Sequence, residues 1–393
     1  MSKLTRRTTV LAKTNSSDYG TDPTPTAGDN GILCNMTPSI QPDGDVIERN
    51  TIRDTMSPEG HVIGGKYYQC SYEMELKGGG LDETDAVQNP EYHPFLLASG
   101  MQRNVGKRLY AAAANDVSTL TMGETVTGGT SSATGKVVQI IGTTAGSVVV
   151  AEVSGTFQAE EDITGGTSSN SVTLSTDDPT DAVIYKPQSD PDSVQDVAVY
   201  YNMDGTQFKS LGGICDMSLN FQVNQIPSIT FNVSSLYNTP TAVVLPSPTT
   251  VDLTPPKAYN MGARIGTYTP TAANALTLSM NNQVTRRDDL NATYGIVGYR
   301  ITARSPQGSI DPEIDAIGTF DPYTAWENVT AAAVSAAVGS SNGNRVGLCV
   351  PKGIYRRIEH QDRNGYRTYN LPFTCRIDDT SGGGDDEFYL IFS

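Results

Sequence analysis

Apolar and polar residues alternate for five full periods between positions 215 and 224. Cys215, Met217, Leu219, Phe221 and Val223 share one face, and Asp216, Ser218, Asn220, Gln222 and Asn224 share the other. A period of two predicts a half-buried antiparallel strand. Apart from Asp216 its polar face is uncharged, which suits a wall facing water. Just upstream, Val197, Val199 and Tyr201 alternate into Asn202-Met203-Asp204-Gly205, which is hairpin-turn chemistry. Helical signals are few. Asp321 before Pro322 predicts a capped helix that runs through Trp326 to about Val338 and stops at Gly339. A second short helix is predicted over 92–101. The last residues predict a strand with Phe388, Leu390 and Phe392 on one face.

The pattern repeats. Ile226, Ile229, Phe231 and Val233 match Tyr366, Tyr369, Leu371 and Phe373 at an offset of 140 positions. Ile47-Glu48-Arg49-Asn50, followed by Gly64-Gly65-Lys66, likewise matches Val284 to Asp288, followed by Gly298-Tyr299-Arg300. A module that recurs within one chain points to a ring or array before it points to an active site. We expect a mainly β protein: two tandem β-sandwich or barrel modules, each with one short helix, plus a small inserted all-β domain. The first module covers 46–114 and 181–250, the second 251–393.

Residues 115–180 differ in texture, with Phe157 as their one aromatic residue. Gly128-Gly-Thr-Ser-Ser132 recurs as Gly165-Gly-Thr-Ser-Ser169, and Glu124 and Val126 are answered by Glu161 and Ile163. These residues are expected to form a separate β insert that can be deleted cleanly. Residues 1–45, with Pro23 and Pro25 in a run of turn residues, are expected to be an extended arm held by a neighbouring subunit.

Charge narrows the function. The net charge of −16 is uneven: residues 1–17 carry four cations and no acid, while 115–180 carry eight acids against Lys136 alone. Residues 345–376 carry seven cations against Glu359 and Asp362. An acidic chain is a poor gripper of nucleic acid, whose phosphates need a clustered positive footprint. The cations Arg6, Arg7, Arg356, Arg357, Arg363 and Arg367 are better read as contacts to acidic faces of identical neighbours.

Catalytic chemistry finds no support. His61, His93 and His360 lie in turns, with no nucleophile motif nearby. The five cysteines are scattered without close pairs and read as reduced. Gly78-Gly-Gly80 and Gly382-Gly-Gly384 lack the Lys-Ser/Thr of a phosphate loop and read as hairpin tips. Asp378, Asp379, Asp385, Asp386 and Glu387 read as solvated turns rather than a calcium site. No apolar run is long enough to cross a membrane as a helix. We expect no enzyme, no cofactor and no metal.

Arg6-Arg-Thr-Thr-Val-Leu-Ala-Lys13, Tyr19-Gly-Thr-Asp-Pro-Thr-Pro25, Gly343-Asn-Arg-Val-Gly347 and Asp362-Arg-Asn-Gly-Tyr-Arg-Thr-Tyr-Asn-Leu-Pro372 resemble segments of major tail tube proteins of long-tailed bacteriophages. The likeness covers about 1–105 and 190–393 and skips the insert. It implies a virion protein made in the host cytoplasm, whose inner sheet joins its neighbours into a barrel. Rings would stack into a tube that meets other tail proteins at its ends. DNA would pass through without specific binding, along a wall for which Asp216, Ser218, Asn220, Gln222 and Asn224 are candidates. Duplicated members resemble the trimeric ring with pseudo-six-fold symmetry; a hexameric ring is the alternative. A capsid decoration protein or receptor-binding adhesin is the competing reading.

Overall fold

The computed structural model describes Leu4 and residues 6–35, 38–378 and 383–393. Asp379 and Gly382, considered above, lie outside the described residues. Eight strands form one continuous antiparallel front sheet. In chain order they are β1 (Ser39–Ile47), β2 (Val62–Glu75), β3 (Thr206–Gln222), β4 (Ser228–Leu236), β5 (Ala273–Ser279), β6 (Gln307–Pro312), β7 (Glu359–Arg363) and β8 (Tyr366–Cys375). Their spatial order is β1-β2-β4-β3-β5-β6-β8-β7. The first four and the last four thus follow the same path.

The second layer repeats in the same way. After β2 come helix α1 (His93–Ala98) and a hairpin of Met101–Tyr110 with Thr180–Pro187. After β6 come helix α2 (Pro322–Glu327) and a hairpin of Ala332–Val338 with Val346–Tyr355. The terminal strand Tyr389–Phe392 hydrogen-bonds to Thr180–Pro187 on one side and Val346–Tyr355 on the other, joining the two halves. Phe388, Leu390 and Phe392 share the face toward the main core, as expected, and the strand's other face is buried too, with Tyr389 and Ile391 in the core behind it. The main core lies between the layers, where the Phe95 ring from α1 stacks on Phe231 at 5.2 Å.

The helix expected over 322–338 is corrected. The Asp321 carboxylate caps the backbone N–H groups of Tyr323 and Thr324 as read from sequence, but the helix ends at Glu327. Val329 adopts φ +52, and Ala332–Val338 is extended, paired to two other strands and burying Val334, Ala336 and Val338. Ladder bonds on both sides outweigh the helix preference of its alanines. Residues 1–45 are corrected in part. Thr8–Thr14 pairs along its whole length with Val197–Met203 and puts Val10 and Ala12 into the main core, so the chain itself holds this segment. Ser39–Ile47 is β1.

The insert is not separate either. Its strand Ser147–Ser154 hydrogen-bonds to Met101–Tyr110, and its core runs without a break into Leu109, Ile184, Cys349, Tyr389 and Ile391. Within it, Thr125–Gly128 and Asp162–Gly165 pair about a local two-fold axis at Thr127 and Thr164. Each Gly-Gly-Thr-Ser-Ser loop wraps the glutamate of the other copy. Glu161 accepts from Ser131 N and Oγ, both at 2.9 Å, and from Gln158 N at 2.8 Å. Glu124 accepts from Ser168 N at 2.8 Å, Ser168 Oγ at 2.9 Å and Thr167 N at 3.0 Å. Glycine is required at 128 and 165, since a Cβ would stand 2.6 Å and 2.5 Å from these carboxylates.

Burial opposes the Glu161 charge, yet its hydrogen bonds prevail and hold the carboxyl below its ordinary value. A depressed carboxylate contributes stability above its unfolded pKa of about 4.3 and loses it as pH falls through the folded value. Glu161→Gln places an amide donor against N–H groups and is expected to cost about 1–3 kcal/mol. Thermal melts at pH 7 and at pH 3 check this: the deficit of the variant should shrink at the lower pH.

Candidate channel surface

The front sheet has two faces of opposite character. Directly paired residues form lateral rows across six of its strands. Glu73, Thr230, Ser218, Ser279, Gln307 and Thr374 make one row, and Glu75, Ser228, Asn220, Thr277, Ser309 and Pro372 the next. The charged members of these rows, Glu73 and Glu75, are both acids. The residues between them, among them Tyr72, Met74, Phe231, Leu219, Leu278 and Phe373, are buried in the core. Two six-residue rows, neutral polar apart from Glu73, Glu75 and Pro372, thus cover a sheet built from both halves of the chain.

Of the expected wall residues, Ser218, Asn220 and Gln222 lie on this face. Asp216 lies at its margin, where burial raises the carboxyl above its ordinary range although Asn282 N donates to it at 2.8 Å. Asn224 lies beyond the strand, in a turn at φ +61. Sequence reading missed the partners on β2, β4, β5, β6 and β8. The signal existed in the Ser-x-Thr-x-Asn-x-Ser spacing of 228–234 and in Thr277 and Ser279, but each run is too short to rank alone.

The expected contact arginines divide. Arg6 and Arg367 are exposed. Arg7 pairs with Asp204 at 3.1 Å and Arg357 with Glu359 at 2.6 Å. Arg363 is drawn inward to Asp311 at 2.6 Å, and Arg356 donates to Gln307 at the edge of the polar face. Most of this basic stretch is therefore engaged within the chain. The acidic turn is engaged too: Asp378 and Asp386 flank Lys136, at 2.6 and 3.2 Å, while Asp385 and Glu387 hold Arg304. His93 Nδ1 lies 2.7 Å from the Tyr185 hydroxyl, and burial depresses the imidazole to about 4.

One contact locks the two halves at the end of this face. The Tyr19 hydroxyl donates to the Gly212 carbonyl and accepts from Tyr299 N at 2.9 Å. Its ring fills the space that a Cβ at Gly298 would occupy, and a Cβ at Gly212 would approach it to 2.9 Å. Gly298→Ala is expected to expel the ring and cost about 1–3 kcal/mol. Tyr19→Ala as partner tests the coupling: the double variant should lose much less than the sum of the singles in denaturant titrations.

The family model described as "Phage tail tube protein" matches residues 5–375, nearly the whole chain. No curated protein matches.

Proposed function

Because the chain belongs to the phage tail tube protein family, we propose that it polymerises into rings whose front sheets close into one wall around a DNA channel. It is a structural protein of the virion tail. The observation that carries the reading is a single sheet of eight strands, polar on one face with Glu73 and Glu75 as the charged members of its two central rows, and with one side of the strand at each edge left open. Among the described residues β1 pairs only with β2, and β7 only with β8. Open edges of this length are templates for another chain, and closing the sheet on itself removes them.

Strand spacing favours three copies per ring. Three eight-strand sheets give 24 strands, which at ~4.8 Å spacing and ~40° tilt close at roughly 45–50 Å across the backbone. Six copies would double that and leave a duplex unguided. For axial stacking, the tip of the β1–β2 hairpin is the candidate. Ile52 and Met56 are fully exposed there, beside half-exposed Val46, Ile47, Val62 and Ile63. An apolar tip of this kind suits burial against the next ring. The neutral-to-acidic wall repels phosphate and so keeps DNA mobile, since each cationic contact would hold it by counterion release.

Negative-stain microscopy of the purified protein tests the reading. Tubes or annuli with three chains per ring are expected. Compact particles without a channel would overturn it in favour of a decoration protein or adhesin.

A further inference from the structure

The joint between the two halves of the front sheet is a pattern for the joint between copies. Within the chain the halves meet at β3 and β5, which pair antiparallel as Ser218–Ser279, Leu219–Leu278, Asn220–Thr277, Phe221–Leu276 and Gln222–Ala275. Each of these strands has a counterpart at an open edge. β8 matches β4 at the 140-residue offset. Ser218, Leu219 and Asn220 lie opposite Thr230, Ile229 and Ser228, as Glu359, His360 and Gln361 lie opposite Asn370, Tyr369 and Thr368. β7 is therefore the counterpart of β3, and its residues 359–363 match the stretch of β3 that pairs with β5. On the other side, Ser71 and Gln69 of β2 lie opposite Asn232 and Ser234, as Ser309 and Gln307 of β6 lie opposite Pro372 and Thr374. Ser39, Ile40 and Gln41 on β1 then hold the places of Thr277, Leu278 and Ser279 on β5, each 238 positions earlier.

Burial differs between the counterparts as a missing neighbour requires. Leu219 and Leu278 at the internal joint retain 2% and 1% of their surface, whereas His360 is exposed and Ile40 half-buried. The opposed pair Val284 and Ile301 packs into a cluster with Ile214 of the first half. Its counterpart, the opposed pair Val46 and Ile63, has no preceding half beside it and is 58% and 51% exposed.

We infer that β7 of one copy pairs antiparallel with β1 of the next in the register of the internal joint, so that Glu359 meets Gln41, His360 meets Ile40 and Gln361 meets Ser39. This pairing, which presupposes the ring assembly proposed above, carries the polar face across the joint through Ser39, Gln41, Glu359 and Gln361, and the core face through Ile40 and His360. A slip of one residue would exchange the two faces. Continued by two residues, the register sets exposed Arg357 opposite exposed Asp43, a favourable cross-strand pair of opposite charge. The neighbour's second half covers Val46 and Ile63, and Ile52 and Met56 farther out stay free for the next ring.

Cysteine cross-linking reads the register, since directly opposed Cα atoms lie about 4.5–5.5 Å apart, within the span a disulfide bridges. Oxidised tubes of the double variant Ser39→Cys/Gln361→Cys are expected to give a non-reducing gel ladder that ends at three chains. Mixed single variants should stop at dimers, and Gln41→Cys/Gln361→Cys, two residues out of register, should lose the ladder. Hydrogen exchange of the unaltered protein gives a result that does not depend on how the variants fold: amides of 39–41 and 359–363 should exchange more slowly in tubes than in the unassembled chain. Tubes in which the out-of-register pair links instead, or in which these amides exchange as in the free chain, would overturn the pairing and leave the ring reading standing. Failure of the unaltered protein to form rings or tubes would overturn both.

Discussion

Removing residues 115–180 and closing the gap with a short turn is expected to unfold the protein rather than trim it. Leu109, Ile184, Cys349, Tyr389 and Ile391 are each fully buried against the insert or beside it. Exposing an apolar side chain of this size costs roughly 1.5–3 kcal/mol, so five together rival a whole stability of roughly 5–15 kcal/mol. Strand Met101–Tyr110 also loses its partner on one side, and Asp378 and Asp386 lose Lys136. The expected outcome is insoluble or unfolded protein by circular dichroism. A deletion variant that melts within a few degrees of the parent and still forms tubes would show that this shared core is dispensable. Substituting Leu109, Tyr389 and Ile391 with Ser in the shortened chain should restore solubility, because it removes the exposed patch.

The second large effect concerns charge on the polar face. Ser218, Thr230 and Ser309 sit in adjacent rows of the front sheet, so three lysines there would line the proposed channel. These side chains are half-buried with their open side outward, and the triple variant is expected to assemble as the parent does. Its tubes should retain duplex DNA that the parent releases. Three chains would set about nine cations per ring, and at this number of phosphate contacts affinity falls about 10³–10⁵-fold between 50 and 200 mM salt. Retention of a labelled duplex in sedimented tubes, measured across that range, reads the effect directly. Equal passage through parent and lysine tubes at 50 mM salt would refute the repulsion mechanism while leaving the ring assembly standing.

Much of the architecture was legible because it is written in local periodicity. The alternation at 215–222, the two-residue turn at Asp204 and Gly205, and the Asp321 cap each depend on a few neighbouring residues, and each stands where expected. The internal repeat was legible for a related reason. The 140-residue offset aligns Ile229, Phe231 and Val233 with Tyr369, Leu371 and Phe373, which occupy matching buried places on β4 and β8.

Three features required the tertiary structure. Ala332–Val338 reads as helix by composition and became a strand because Val346–Tyr355 pairs along its length on one side and Arg264–Ile265 pairs with Val334 and Ser335 on the other. The segment 8–14 reads as an arm, since only Val197–Met203, nearly two hundred residues away, shows that it has a partner. The basic stretch 345–376 reads as a contact surface, whereas Asp311 and Glu359 already engage two of its arginines.

By itself, then, the sequence determined the class of protein: strands from period-two patterning, turns and caps from their residues, and duplication from a constant offset. Only the tertiary structure decided that the two halves share one sheet, that the insert shares a core with the body, and which polar residues share one face of that sheet. The physical reason is range. Propensity and amphipathic period act over a few residues, whereas ladder pairing and core burial join segments whose separation along the chain leaves no trace in either segment alone.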